Sequence, residues 1–383
     1  MRVPRIRVDG FNNNFEKKIF GEIVRSISTR MYIKSVVSDI GEYEVIQQGD
    51  TPILGYSNDQ PFEKYKSVIL FGDHTLSLYR PKAPFLLSTD GIKILQSTIL
   101  KRDYLYYLTQ NYIPKSQGYK RHYSVLKQVF VNYSRDSSEQ SAIGSLFRTL
   151  DDLLVSYKDN LANYQSLKES MLSKMFPKAG QTVPEIRLDG FEGEWKLYEL
   201  KSRAETITKG TTPKDKSWQG EVNYIKTESI NRDSGSLVRT ASTSLEEHLG
   251  YLKRSQLKEG DVLFSIVGTL GVVGLVDKKD LPANTNQQIA IIRLNRDNAI
   301  FMLNFLKSPR IKSFIKSDST IGAQPSLSLW QIEKIKVSLP PSLEEQQAIG
   351  TYFSNLDNLI KSHQEKISQL ETLKKKLLQD MFI

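Results

Sequence analysis

The chain has 383 residues, of which 39% are hydrophobic and 10% aromatic, more apolar material than one ordinary core uses, so two or three domains are expected. It contains no Cys, which excludes disulfides and thiolate metal sites and is compatible with a reducing compartment. Lys+Arg of 53 against Asp+Glu of 43 leaves a net charge of +10, which favours an anionic partner; nucleic acid and a merely basic surface both fit that charge.

The N-terminus carries Pro4, Arg5, Arg7 and Asp9 where a secretory leader needs an apolar core, and no apolar run reaches membrane-span length. A cytoplasmic protein without a membrane partner is the expectation. The run from Val3 to Phe11 (VPRIRVDGF) returns as Val183 to Phe191 (VPEIRLDGF), 180 positions on. The block from Glu139 to Phe176 returns as Glu345 to Phe382, 206 positions on, with 15 identities in 38 aligned residues. Such duplication takes precedence over any local pattern. It describes one frame, made of a short entry segment and a long terminal segment, that holds two different inserts.

The first insert has strand signals at Ser67 to Thr75 and Phe85 to Lys93, then an aromatic, helix-like run from Asp103 to Gln110. Lys115, Tyr119, Lys120, Arg121, His122 and Tyr123 follow as its basic and aromatic cluster, which reads equally as a phosphate-binding patch or a solvated loop. The repeated block comes next. Ile143, Phe147, Leu150, Leu154, Tyr157, Leu161, Tyr164, Met171 and Met175 recur at alternating steps of four and three, the seam of a coiled coil. Its second copy has Ile349, Phe353, Leu356, Ile360, His363, Ile367, Leu370, Leu377 and Met381.

Lys168 and Lys374 interrupt the seam at equivalent places, where a lysine is expected to snorkel or, failing that, to meet another chain. Asp136 with Glu139 and Ser342 with Glu345 predict a capping box at each helix start, Pro340-Pro341 precedes the second start, and Pro177 with Gly180 ends the first helix. Helices of this length run to about 57 Å and pair most simply with each other, antiparallel.

The second insert carries strand signals at Glu221 to Lys226, Gly260 to Val267 and Gln288 to Leu294, then short helices at Ile300 to Ser308 and Arg310 to Lys316 split by Pro309. Lys209, Thr211, Thr212, Lys214 and Lys216 form a turn suited to phosphate oxygens. Asn284, Asn286, Gln287 and Gln288, and likewise Gln324 with Ser326, carry groups that can read adenine edges, although each alone is more simply a solvated loop residue. Residues 12–136 carry 17 basic and 12 acidic side chains, and residues 192–338 carry 22 and 17, so both inserts suit the same kind of partner.

Taken in order, Lys209 to Pro213 (KGTTP), Leu257 to Ser265 (LKEGDVLFS) and Leu339 to Gln346 (LPPSLEEQ) resemble the specificity subunit of type I restriction-modification systems, and the resemblance covers essentially the whole chain. Gly72 to Thr75 and Asp90 to Lys93 resemble one variety of the family's first recognition domain; Asn132 to Asp136 stands where the family usually has Pro-Pro. The resemblance implies an α+β fold of two target recognition domains, at 1–136 and 178–340. Two spacer helices, at 137–177 and 341–383, pair as an antiparallel coiled coil with pseudo-twofold symmetry.

It also implies that each domain reads half of a split duplex DNA site. His74, Thr75, Arg80, Lys115, Lys120 and Arg121 are candidate DNA contacts in the first domain. Lys209, Thr211, Thr212, Lys214, Lys216, Asn286, Gln287, Gln324 and Ser326 are candidates in the second. Ile143, Phe147, Leu150, Leu154, Leu161, Ile349, Phe353, Leu356, Ile360 and Ile367 would serve helix pairing and partner docking. Two methyltransferase subunits, and restriction subunits where present, would be the partners. They would bring S-adenosylmethionine, ATP and magnesium, and this chain would bind no cofactor of its own.

Two other classes compete with that reading. An enzyme acting on nucleic acid would need chemistry that the sequence does not offer in any recognisable motif. There is no phosphate-binding Gly-x-x-x-x-Gly-Lys-Ser/Thr loop, Gly268, Gly271 and Gly274 read as turns, and His74, His122, His248 and His363 lack metal-ligand spacing. No catalytic or metal-ligating residue is therefore assigned. A coiled-coil scaffold that binds only proteins is the remaining alternative.

Overall fold

The computed structural model describes residues 4–34, 36–118, 120–320 and 324–382. Val3 of the repeat and Tyr119 of the basic run lie outside the described residues. The longer helices are α1 (Arg102–Asn111), α2 (Ser137–Lys174), α3 (Ala299–Lys307), α4 (Pro309–Asp318) and α5 (Leu343–Met381). Pro309 is the first residue of α4, where its missing N–H costs nothing. The chain divides into two compact units, Met1–Lys158 with Glu365–Ile383, and Asp159–Gln364. This division cuts both long helices, so each unit contains part of α2 and part of α5.

The first unit has strands β1 (Glu16–Ile19), β2 (Arg25–Ile27), β3 (Tyr43–Ile46), β4 (Ile53–Ser57), β5 (Val68–Gly72), β6 (Leu78–Tyr79), β7 (Phe85–Leu87), β8 (Ile92–Gln96) and β9 (Phe130–Tyr133). They form sheets ordered β2-β8-β5-β6 and β4-β3-β7, and the pair β1-β9. The expected single run from Phe85 to Lys93 is two strands, because Thr89-Asp90-Gly91 turns the chain from one sheet to the other. The Thr89 hydroxyl accepts from the Gly91 N–H at 3.2 Å in that turn. All five residues of β5 are buried, which explains its unbroken apolar sequence.

The second unit has β10 (Lys196–Glu199), β11 (Ala204–Lys209), β12 (Val222–Ile225), β13 (Ser242–Thr243), β14 (Val262–Ser265), β15 (Val273–Leu275), β16 (Ala283–Thr285), β17 (Ile289–Leu294) and β18 (Lys336–Leu339). Their orders, β11-β17-β14-β15, β13-β12-β16 and β10-β18, repeat those of the first unit strand for strand. The repetition includes the parallel pair in each three-stranded sheet, β3 with β7 and β12 with β16. In each module the first strand closes antiparallel on the last, β1 on β9 and β10 on β18, and the last strand leads directly into a long helix.

The repeated residues hold each module to its helix. Asp136 Oδ1 accepts from the Glu139 N–H at 3.1 Å, and Ser342 Oγ from the Glu345 N–H at 3.1 Å, so both N-caps form. The capping glutamates, however, serve the entry segments. Arg7 donates to both Glu139 carboxylate oxygens at 2.6 and 2.9 Å, and Arg187 to those of Glu345 at 2.8 and 2.7 Å. Both carboxylates are buried, and the planar guanidinium satisfies their two oxygens together. Gln140 accepts from the Lys101 N–H at 2.8 Å and Gln346 from the Asn298 N–H at 2.9 Å, tying each long helix to the start of α1 or α3. A Cβ at Gly144 would lie 3.1 Å from the Tyr104 nitrogen and one at Gly350 3.4 Å from the Phe301 nitrogen, so these glycines permit close helix docking.

Within each unit the two long helices run antiparallel, and their contacts repeat with the 206-residue offset. Phe147 stacks with Phe382 in the first unit, and Phe353 with Phe176 in the second, both at 6.0 Å between ring centres. Ile143, Phe147, Leu150, Leu154, Ile349, Phe353, Leu356, Ile360 and Ile367 are buried, and Leu161 is half-buried. The two seam lysines do not snorkel. Lys168 Nζ reaches Asp357 Oδ1 and Lys374 Nζ reaches Asp151 Oδ1, each at 2.5 Å, and Asp151 and Asp357 are themselves equivalent positions of the repeat. A carboxylate on the facing helix holds each ammonium inside the seam.

Lys168→Met should therefore destabilise the protein by about 3 kcal/mol, since it leaves Asp357 charged and poorly solvated. The double variant Lys168→Met/Asp357→Leu should recover most of that loss. Urea denaturation of the single variants and the pair, read as a double-mutant cycle, checks this.

Candidate nucleic-acid interface

In the second module, β11 and β14 end and β17 begins at one end of the four-stranded sheet, with Lys209 opposite Ala290 and Ser265 opposite Ile289. Four loops meet there. The Thr211 N–H donates to the Thr285 carbonyl at 2.9 Å, the Ile266 N–H to Gln288 at 2.8 Å, the Gly268 N–H to Pro325 at 2.9 Å, and the Leu327 N–H to Ile266 at 2.9 Å. Thr211, Thr212, Asn286, Gln287, Gln324 and Ser326, far apart in sequence, are thereby gathered at a single sheet end. Thr212 Oγ1 donates to the Gln287 side-chain oxygen, and Ser326 Oγ lies 3.0 Å from Thr320 Oγ1.

The amides are not equivalent. Asn284 is fully buried: its Oδ1 meets His248 Nδ1 at 2.6 Å, and its Nδ2 donates to the Leu252 carbonyl at 3.0 Å and to Ser255 Oγ at 3.2 Å. It cannot read a base edge; it supports the loop that carries Asn286 and Gln287. Asn286 accepts from the Gln288 N–H at 3.0 Å and donates to the Gln288 side chain at 3.2 Å, closing its own turn. Gln287 and Gln324 are exposed.

The Lys209–Lys216 turn is built from beneath. Burial pushes the Tyr224 hydroxyl pKa up, so it keeps its proton and donates to the Thr211 carbonyl at 2.9 Å. Lys209, Lys214 and Lys216 are exposed, with Lys214 Nζ 4.9 Å from the centre of the Tyr251 ring. Sequence reasoning missed Lys226, whose Nζ lies 3.6 Å over the Trp218 ring. The aromatic residue eight positions before it was the only sequence signal.

The equivalent end of the first module carries the loops after β5 and before β8. The Asp73 N–H donates to the Gly91 carbonyl at 2.8 Å and the His74 N–H to Gln48 Oε1 at 3.0 Å, with Thr75 exposed beside them. Arg121 reaches Asp90 at 3.3 Å, and Lys93 lies 3.7 Å from Asp73. A groove of about 560 Å³ is lined by Lys93, Arg121, Tyr123 and Lys127. Burial, then Asp73, pushes the Tyr123 hydroxyl up to about 12. Lys93 and Lys127 were not singled out by sequence, because neither lies in a basic run. Lys115 and Lys120 are exposed on the segment leading into this groove.

Two sequence candidates are committed elsewhere. His122 is not a surface cation: it is fully buried, its Nε2 accepts from the Gln117 N–H at 3.0 Å, and its Nδ1 therefore donates to the Asp73 carbonyl at 3.0 Å. Arg80 lies 3.3 Å from both Asp103 and Asp151 and 4.4 Å from the Tyr106 ring centre. This places Arg80 with the helix seam, since Asp151 is also the partner of Lys374 and accepts from the Tyr107 hydroxyl at 2.6 Å. Among the described residues no group of three or more His, Cys, Asp or Glu side chains could hold a metal ion, and no helix is long and apolar enough to cross a membrane.

Residues 192–372 match the family model for the type I restriction modification DNA specificity domain. The MjaVIII type I restriction enzyme specificity subunit of Methanocaldococcus jannaschii is 23% identical over 311 residues, covering 76% of this chain and 72% of that protein. The EcoBI type I restriction enzyme specificity subunit of Escherichia coli is 28% identical over 169 residues, 42% of this chain and 35% of that protein. The crystal structure of the S subunit of a type I restriction-modification system from M. genitalium superposes with a TM-score of 0.67 at 17% identity, covering 100% of this chain and 99% of that one, and so shares its fold.

Gly210→Ala tests the assembly of this loop cluster. A Cβ at that position would lie 2.0 Å from the Thr285 carbonyl oxygen and 2.2 Å from that of Asn286, so backbone must move. A loss of about 2 kcal/mol, the scale of overpacking, is expected in urea denaturation.

Proposed function

We propose that the chain is a type I restriction-modification specificity subunit, as the matching domain model and the named relatives support, and that each of its two modules reads one half of a split duplex DNA site. Members of this family are non-catalytic DNA-recognition components. The observation that carries the two-part reading is the repeated sheet order with loops gathered at the same sheet end in both modules. Exposed amides at Gln287 and Gln324 suit base edges, and exposed lysines beside them suit phosphates.

The long helices act as spacer and as the dock for two methyltransferase subunits, with restriction subunits as further partners. An exposed apolar stripe supports the docking role: Leu153 and Leu359 are equivalent positions of the repeat, as are Leu167 and Leu373, and all four are exposed. Two equivalent stripes suit two copies of one partner. S-adenosylmethionine, ATP and magnesium belong with those partners.

Two experiments test this reading. Co-expression with a type I methyltransferase subunit, followed by genome-wide mapping of N6-methyladenine, should show one split motif with a fixed gap. Replacing residues 12–130 with another first insert should change one half of that motif and leave the other. Change in both halves defeats the independent-module reading, and absence of any motif or complex favours a protein-binding scaffold. In the same complex, Lys93→Gln/Lys127→Gln should lower the slope of log affinity for duplex DNA against log salt by about 1.8, the loss of two phosphate contacts.

A further inference from the structure

A cavity of about 750 Å³ in the second unit lies between the last turns of α2 and the helices α3 and α4. Lys168, Arg232, Lys307 and Lys312 line it, against Glu169 and Asp233 as its acidic residues. Lys168 and Lys307 donate to the same backbone oxygen, that of Asp233, at 2.6 and 2.9 Å, so their ammonium groups are less than about 6 Å apart.

The carboxylates do not balance this charge. Asp357 is engaged by Lys168, and Lys307 has no carboxylate within ion-pair distance among the described residues. Burial, and then the neighbouring Lys168, pushes the Lys307 ammonium down to about 7, with Asp357 and Asp233 opposing the shift. Lys168, Arg232, Lys307 and Lys312 outnumber Glu169, Asp233 and Asp357 around the cavity, and two of the ammonium groups already converge on one backbone oxygen, so an entering anion meets donors held in place for it. Leu172 and Ile315 supply apolar walls.

We propose that this cavity binds a phosphate group, with Lys307 and Lys168 as the inner pair and Arg232 and Lys312 at its mouth. The phosphate has two sources in the same chemistry. Thr269 and Gly271 line the cavity and lie in the turn whose Gly268 is held by Pro325, so a DNA backbone phosphate beside that loop cluster is one source. A free or nucleotide-borne phosphate is the other. The site stands on its own charges and geometry and does not require the half-site reading.

The test uses the full chain with inorganic phosphate replacing chloride at constant ionic strength. Phosphate should raise the melting temperature of the wild type saturably by several degrees and leave Lys307→Met unmoved. The Met variant removes one of two adjacent ammonium groups and keeps the length of the side chain, so it is expected to fold. Phosphate should also protect Lys307 from acylation at least about fivefold, read by mass spectrometry on the wild type; this holds the test open should Lys307→Met fail to fold. Equal melting shifts in both proteins, or an unprotected Lys307, overturns the proposal.

Duplex DNA then identifies the source. A salt slope lower by about 0.9 in Lys307→Met assigns the cavity to a DNA phosphate. An unchanged slope, with the phosphate response still lost, assigns it to a free phosphate.

Discussion

A lysine ammonium held against an aspartate carboxylate inside a helix seam occurs twice in this chain, as Lys168 with Asp357 and Lys374 with Asp151. Neither pair is best understood as a source of stability. Moving both charges out of water costs several kcal/mol per ion, and leucines of similar volume would pack at least as well. What the pairs contribute is register. A one-turn slip of either helix would leave a charge without a partner in an apolar seam, whereas a seam of leucines would tolerate it. Because the two pairs are equivalent under the repeat, the same constraint operates in each unit.

The modules depend on that register because their anchors lie on the same helices. Arg7 and Arg187 reach Glu139 and Glu345 in the first turn, Gln140 and Gln346 hold the starts of α1 and α3, and Gly144 and Gly350 admit them closely. The aromatic rings complete the joint. Tyr104 packs on Phe382 at 5.2 Å, and Phe301 on Phe176 at 5.4 Å, each ring of the second helix end being shared by module and seam. Arg80 extends the coupling in the first unit, since the carboxylate of Asp151 serves Lys374, Tyr107 and Arg80 together. Module and helix thus form one packed body in each unit, which is why the boundary between the two compact units crosses the long helices rather than separating them from the modules.

Loops gathered at a sheet end leave few side chains free to meet a ligand. Asn284, His248 and Ser255 are consumed in building the support, Asn286 closes its own turn, and Gln287 and Gln324 remain exposed. This division of labour is physical. A buried amide must satisfy its donors and acceptor within the protein, so an amide that reads a base must stand clear of such a network.

The local elements and the duplication were legible in the amino-acid sequence. Heptad spacing, caps and the 206-residue offset marked both long helices, and short apolar runs bounded by Gly and Asn marked the strands, because these patterns depend on neighbours within a few residues. The turn at Thr89 to Gly91 was the exception, since an apolar run does not declare where it leaves one sheet for another. Ownership of the polar side chains was decided by the tertiary structure. His122 reads as part of a basic cluster until Asp73 and Gln117 enclose it, Arg80 as a phosphate contact until Asp103 and Asp151 claim it, and Lys168 as a snorkelling residue until Asp357 faces it. Periodicity reports which face of an element is apolar. The partner of a charge comes from distant parts of the chain, 189 residues away for Lys168 and 223 for Lys374, and only the packed fold brings them together.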